Sequence, residues 1–181
     1  MKKILFVASE AVPFIKTGGL ADVVGSLPKC FDKNYYDVRI MIPKYLCIKQ
    51  EWRDQMTYLN HFYMDYLGQS RYVGILQYVY EGITYYFIDN EGYFSGAKPY
   101  GDWLYDLEKF SFFCNAALPA LPVIGFQPDV VHCHDWQTGL IPVYLKDRFR
   151  GGEFFCNMKS VITIHNLKFQ GKWNIKDVRD I

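Results

Sequence analysis

The chain has 181 residues, a length typical of one domain, and it is 50% hydrophobic and 22% charged, which excludes a disordered protein. Its net charge of +1 comes from cations and anions mixed along the whole length, so neither a nucleic acid nor a membrane is the expected partner. Five widely spaced cysteines, and apolar runs too short for a membrane span or a signal peptide, indicate a cytoplasmic protein.

The first half of the chain alternates between strand and helix patterns. Residues 3–8 form a short apolar run that predicts a buried strand. Apolar residues at i, i+3, i+4 and i+7 then predict a helix over residues 20–27. A second strand is predicted over residues 37–42. Residues 46–67 fit a helix and a strand equally well, so their structure stays open.

The second half continues the same alternation. Two β-rich runs separated only by Glu81-Gly82 predict a hairpin. The predicted elements are the strands 71–80 and 83–89, a helix 107–118, a strand 129–133, a helix 138–149 and a strand 160–165. The order predicts an α/β fold over residues 1–181: a Rossmann-like, doubly wound, mostly parallel sheet with helices on both faces and a β-hairpin insertion.

Polar clusters follow three of the predicted strands, and ligands of open α/β sheets bind at such strand ends. The first cluster is Lys16-Thr17-Gly18-Gly19, at the start of the first helix. Glycines there let a phosphate approach the free N–H groups of the helix, and Lys16 adds a charge suited to a diphosphate. A structural turn explains the glycines equally well, and the usual dinucleotide and P-loop spacings are absent.

The second cluster covers residues 132–136 and closes the strand 129–133. His132 and His134 lie on one face of a strand, as metal ligands can, but no further ligand cluster stands out in the sequence. Buried, hydrogen-bonded histidines are therefore the expected outcome. Asp135 is also a candidate N-cap for the next helix.

The third cluster follows the last predicted strand. His165 and Asn166 stand where a ligand would be met, and Gly171 predicts a tight backbone bend. A single histidine at a strand end is more often structural than catalytic. Three such loops at one edge of one sheet favour a ligand site.

At these clusters the chain resembles bacterial glycogen synthases and plant starch synthases. The resemblance is carried by ILFVASEAVPFIKTGGLADVVGSLP (4–28), PDVVHCHDWQTGLIPVYL (128–145) and TIHNLKFQG (163–171), in the family's order. It implies the N-terminal half of a GT-B glycosyltransferase. Such an enzyme transfers glucose, with retention, from ADP-glucose or UDP-glucose to the non-reducing end of an α-1,4-glucan such as glycogen. The resemblance implies no metal and no cofactor, because the nucleotide sugar is a substrate.

The resemblance also implies roles for individual residues. They are catalysis by His165 and Lys16, donor binding by Lys16, Gly18, Gly19, Asn166 and Asp135, and lining of the cleft or contact with the glucan by Asp22, Tyr93, Trp136 and His134.

The resemblance further implies that the first domain is incomplete at its C-terminal end and that the second GT-B domain is absent from this chain. Because that domain supplies further donor-binding groups in the family, the chain alone is expected to be inactive. Three alternatives stay open. They are another GT-B nucleotide-sugar transferase, a non-catalytic carbohydrate-binding module motivated by the 18% aromatic content, and a metal-dependent hydrolase built on His132 and His134.

Overall fold

The computed structural model describes residues 1–178, which form a seven-stranded sheet in the order β3-β4-β5-β2-β1-β6-β7. The strands are β1 (Lys2–Val7), β2 (Tyr36–Pro43), β3 (Thr57–Tyr66), β4 (Gln69–Tyr80), β5 (Ile83–Asp89), β6 (Val130–His134) and β7 (Lys159–Thr163). The α-helices are α1 (Gly19–Ser26), α2 (Gln50–Arg53), α3 (Glu91–Phe94), α4 (Trp103–Val123) and α5 (Leu140–Tyr144).

Five neighbouring strands, β5, β2, β1, β6 and β7, run parallel, with β1 in the middle. The chain passes from β1 to β2 on one side and later returns to β6 on the other side. This reversal of direction opens a crevice beyond the carboxyl ends of β1 and β6, where open α/β sheets bind ligands. The predicted Rossmann-like, mostly parallel sheet is confirmed.

The core covers both faces of the central strand. Leu5, Phe6 and Val7 of β1 are consecutive and each is 0% exposed. Because successive strand residues point to opposite faces, helices and loops must cover the sheet on both sides. Helix α4 contributes the fully buried Phe112 and Phe113 to this core. Within residues 1–178, no helix combines the length and the apolar character needed to cross a bilayer.

The predicted hairpin is present, and it is part of a larger antiparallel edge. Strands β4 and β5 pair antiparallel, and β3 adds a further antiparallel strand outside β4. Strand β5 also pairs parallel with β2, so it belongs to the central sheet and only β3 and β4 extend beyond it. The open region 46–67 contains the short helix α2 followed by β3.

The helix predicted over residues 138–149 is irregular. It consists of a 3₁₀ turn (Trp136–Thr138), the short helix α5 and a π-helical turn (Leu145–Phe149). Pro142 is the third residue of α5, in the first turn, where a backbone N–H has no partner within the helix. The proline is therefore tolerated as the sequence predicts, although the helix around it is not continuous.

The close approach of α1 to the loop after β1 depends on Gly25. A Cβ atom at this position would lie 2.7 Å from the backbone oxygen of Val12. We expect Gly25→Ala to lower the free energy of unfolding by about 1–2 kcal/mol, because overpacking against backbone outweighs the roughly 1 kcal/mol gained in helix propensity. Urea unfolding measures this. Gly151→Ala, where a Cβ atom meets nothing within 4 Å, is the control, and equal losses in both variants would contradict the packing argument.

Candidate active site

A cavity of about 970 Å³ lies in the crevice beyond the carboxyl ends of β1, β6 and β7. Its wall combines the loop between β1 and α1, the loop after β6, the segment after β7 and the start of α4. Among the lining residues are Glu10, Gly18, Gly19, Asp135, His165 and Asn166. Five of the residues predicted for donor binding or catalysis therefore lie in one cavity.

The start of α1 exposes backbone N–H groups to this cavity. Gly18 is the N-cap in an extended conformation, and no side chain caps the helix at this residue. The first N–H groups of a helix have no partner within the helix. Cβ atoms would find open space at Gly19 and only Glu10 Oε1, 4.0 Å away, at Gly18. Packing does not require these glycines, and their lack of side chains leaves room for an anion at the helix end.

Glu10 fixes the loop that leads into α1. Glu10 is 3% exposed, and its carboxylate accepts hydrogen bonds from the backbone N–H of Thr17, from the Thr17 hydroxyl at 2.9 Å and from the Tyr100 hydroxyl at 3.2 Å. Burial, together with the charge of Glu10, raises the pKa of Tyr100, so its hydroxyl stays protonated and donates. Glu10 is not among the residues predicted from the sequence, although it follows the end of β1 by only three positions and so lies where open α/β sheets bind ligands.

Lys16 and Asp22 form an ion pair of 2.8 Å beside the cavity, and neither residue lines its wall. Their side chains are 54% and 53% exposed. An exposed pair contributes only about 0–1 kcal/mol, so Lys16 can exchange Asp22 for another anion at little cost. Asp22, predicted to line the cleft, is exposed and does not line the cavity.

Asp135 joins the ends of β6 and β7. Its backbone has φ of 59°, a conformation that is strained for a residue other than glycine. Its N–H donates to the carbonyl of Thr163 at 2.9 Å, and its carboxylate accepts from the backbone N–H of His165 at 2.7 Å. The prediction that Asp135 caps the following helix is wrong, because its carboxylate is engaged by His165 and makes no capping bond.

Three histidine rings follow one another from the sheet toward the cavity. The centroids of His132 and His134 are 4.2 Å apart, and those of His134 and His165 are 5.2 Å apart. Nδ1 of His134 lies 2.9 Å from Nε2 of His165, while Nε2 of His132 meets the Thr163 hydroxyl at 2.7 Å. Burial, reinforced by the neighbouring histidines, lowers the pKa of His134 to about 3. His134 is 1% exposed and lies behind the cavity wall.

The far wall is aromatic and bends at Gly171. Trp136 lines the cavity, and its ring centroid is 5.0 Å from that of Trp173. Gly171 has φ of 58°, and a Cβ atom there would lie 2.7 Å from the Trp136 ring. The predicted tight bend is confirmed, and it is what lets the chain pass directly over Trp136.

The described part of the chain, residues 1–178, contains no group of three or more histidine, cysteine, aspartate or glutamate side chains placed to hold a metal ion. His132 and His134 share one face of β6 as predicted. Their polar contacts are with Thr163 and His165. The alternative of a metal-dependent hydrolase therefore has no ligand set in this region.

Comparison with known proteins assigns the family. The model of the family described as the starch synthase catalytic domain matches residues 3–181. The chain belongs to this family. Its central parallel sheet is thus that of a starch synthase catalytic domain, and the resemblance carried by the three loops is confirmed.

Individual relatives agree with this assignment. The chain is 63% identical over its whole length to a glycogen synthase from Lachnospira eligens and 60% identical to one from Lachnoclostridium phytofermentans. It spans 38% of the length of each of these relatives. The catalytic domain of Starch Synthase IV from Arabidopsis thaliana bound to ADP and acarbose has a TM-score of 0.85 and 30% identity, over 98% of this chain and 36% of that chain.

Besides Asp22 and His134, a third residue predicted for the cleft of this starch synthase domain does not line the cavity. Tyr93 is 5% exposed, stacks on Phe112 at 4.4 Å and donates its hydroxyl to Glu108. It borders a separate, smaller cavity of about 340 Å³. Conversely, Trp103 and Asp106 at the start of α4 line the large cavity, and no strand-end signal marks them in the sequence.

The buried histidines predict how stability depends on pH. When the pKa of a histidine is lower in the folded state than in the unfolded state, the unfolded state takes up the proton at a higher pH. The free energy of unfolding therefore falls as the pH drops below about 6.5. Each such histidine contributes at most about 1.4 kcal/mol per pH unit. We expect urea unfolding between pH 7.5 and 5 to show a smaller loss for His134→Phe than for the unchanged chain. Parallel pH profiles for the two proteins would contradict this.

Proposed function

We propose that the chain is the N-terminal part of a glycogen synthase, which transfers glucose from a nucleotide sugar to the non-reducing end of an α-1,4-glucan. The observation that carries this proposal is that the N-terminus of α1 and the loop of His165 open into one cavity. The glycogen synthase relatives support the reaction, and the starch synthase structure named for bound ADP and acarbose supports a nucleotide at such a site.

The donor diphosphate would lie at the N-terminus of α1. The free N–H groups there and the helix dipole favour a negatively charged ligand. Lys16 stands in the same loop and can leave its exposed pair with Asp22 to meet a phosphate oxygen. Glu10 holds the loop in place through Thr17, so the N–H groups are oriented before the ligand arrives.

This arrangement assists the leaving group more than it assists the bound substrate. As the bond to the sugar breaks, the diphosphate gains negative charge and the glucosyl ring gains positive charge. Donors aimed at the diphosphate therefore interact more strongly in the transition state than in the ground state. The fixed backbone of Gly18 and Gly19 needs no reorganisation to supply this stabilisation.

The transferred glucose would lie between the loops after β6 and β7. His165 and Asn166 line that side of the cavity, and Asp135 fixes the position of His165 through its backbone N–H. Trp136 would offer an aromatic face to a sugar ring. The glucosyl group would thus stand between the diphosphate at α1 and the acceptor on the open side of the cavity.

The remaining length of the relatives supports a second domain across this opening, as in the GT-B architecture. That domain would complete the donor site, including the pocket for the base. The donor, ADP-glucose or UDP-glucose, is consumed as a substrate, and the proposed reaction uses no separate cofactor.

The high aromatic content is explained by the packing of the core and not by stacking on sugar rings. Ten of the largest fully buried side chains are tyrosine or phenylalanine: Tyr45, Tyr85, Tyr86, Phe6, Phe87, Phe94, Phe110, Phe112, Phe113 and Phe126. Since these rings pack the core, the composition gives little support to a non-catalytic carbohydrate-binding module.

Lys16→Ala and His165→Ala in the full-length parent test the proposal. We expect each to lower glucosyl transfer to glycogen by about 10²–10³-fold, because each removes stabilisation that grows in the transition state. Transfer is followed with labelled ADP-glucose and UDP-glucose. Lys2→Ala is the matched control, because Lys2 also forms an exposed ion pair, with Asp129, but lies at the opposite end of β1. Equal activities in all three variants would refute the assignment.

The chain of residues 1–181 by itself is expected to transfer no glucose, since the proposed donor site is completed by the second domain. The same assay, with the parent as positive control, measures this. Transfer by the isolated chain above the background without enzyme would show that the second domain is not required.

A further inference from the structure

His134 lies behind the cavity wall and reaches the cavity only through His165. Its ring is 1% exposed and does not line the cavity, whereas His165 does. Among residues 1–178, the single polar contact of the His134 ring joins its Nδ1 to Nε2 of His165, at 2.9 Å. Any influence of His134 on a ligand must therefore pass through the His165 ring.

Packing holds the His134 ring in this orientation. It lies between the rings of His132 and His165, with interplanar angles of 27° and 16°. The ring centroid of Phe6 is 5.0 Å away. A ring enclosed in this way cannot turn to present its other nitrogen without disturbing the core.

The hydrogen-bond partners decide where the ring protons lie. The lowered pKa of His134 leaves its ring neutral at pH 7, with one N–H. Nε2 of His134 is buried and has no hydrogen-bond partner among residues 1–178. If His165 donated through Nε2, the proton of His134 would be on this nitrogen, as a buried N–H without an acceptor, which folded proteins rarely contain. With the proton on Nδ1, the buried Nε2 is only an acceptor without a donor, which is the lesser cost, so this arrangement favours Nδ1–H of His134 donating to Nε2 of His165.

We propose that His134 is a positioning residue that holds His165 in the tautomer protonated at Nδ1. With Nε2 occupied by His134, Nδ1–H is the one ring donor that His165 has for a ligand in the cavity. The backbone of His165 is fixed separately by Asp135, so its main chain and its ring each have their own restraint. A catalytic consequence of this tautomer rests on the proposed function, whereas the tautomer itself does not.

Nitrogen-15 NMR of the histidine rings in the 181-residue chain tests the proposal directly. The chain has only four histidines, so each ring can be assigned by substitution. We expect His165 in the unchanged chain to be protonated at Nδ1. In His134→Phe, which keeps a ring but removes the donor, we expect the proton to move to Nε2, the nitrogen that free histidine favours.

Two further variants separate positioning from packing. His134→Asn places an amide nitrogen at the same number of bonds from the backbone as Nδ1, so we expect it to preserve the Nδ1–H tautomer. His132→Phe changes the ring that stacks on His134 and whose Nε2 contacts Thr163. We expect the His165 tautomer to persist in this variant as well. An Nε2–H tautomer in the unchanged chain, or an unaltered spectrum of His165 in His134→Phe, would overturn the proposal. The unchanged chain provides a test even where a variant does not fold.

Kinetics of the full-length parent test the consequence. We expect His134→Phe to lower kcat about tenfold, the effect of one misdirected hydrogen bond, with little change in KM for the donor. His134→Asn should recover most of this loss, and equal losses in both variants would count against positioning. If the parent itself transfers no glucose, the proposed function fails, and the NMR result still decides the tautomer.

Discussion

The burial of β1 on both faces is the constraint from which the rest of this molecule follows. Three consecutive side chains, Leu5, Phe6 and Val7, are fully removed from water, which requires layers above and below the sheet, and β1 has a parallel strand on each side. With β2 on one side and β6 on the other, the loops that leave β1 and β6 must face each other. The cavity is thus a consequence of the strand order, and its chemistry depends on what those two loops carry.

Sequence periodicity, together with the rule that ligands bind beyond the carboxyl ends of parallel strands, was enough to predict the cavity-lining residues that directly follow those strands. Gly18, Gly19, Asp135, His165 and Asn166 all follow strands of the parallel sheet, and all line the cavity. The parallel sheet itself could be predicted because its strands are separated by clear turn and helix signals.

Sequence patterns do not give the direction of a side chain where distant packing decides it. Tyr93 lies in a family-like segment, but its ring stacks on Phe112 of α4 and so belongs to the core. Tyr100 reaches Glu10 across 90 residues of sequence, a contact that no local pattern encodes. Aspartate is a residue type that commonly caps helices. Here the carboxylate of Asp135 instead accepts a hydrogen bond from the backbone N–H of His165, because the register of β6 and β7 brings that N–H within its reach.

The clamp at Asp135 explains why a strained residue is retained at the centre of the site. A backbone with positive φ costs of order 1–3 kcal/mol at a residue other than glycine. Asp135 makes two hydrogen bonds that offset much of that cost. Its N–H donates to the carbonyl of Thr163, and its carboxylate accepts from the N–H of His165. A glycine would relieve the strain but would lose the carboxylate that fixes His165. The strain is therefore the consequence of placing the β7 loop against the end of β6, which is also what brings His165 to the cavity.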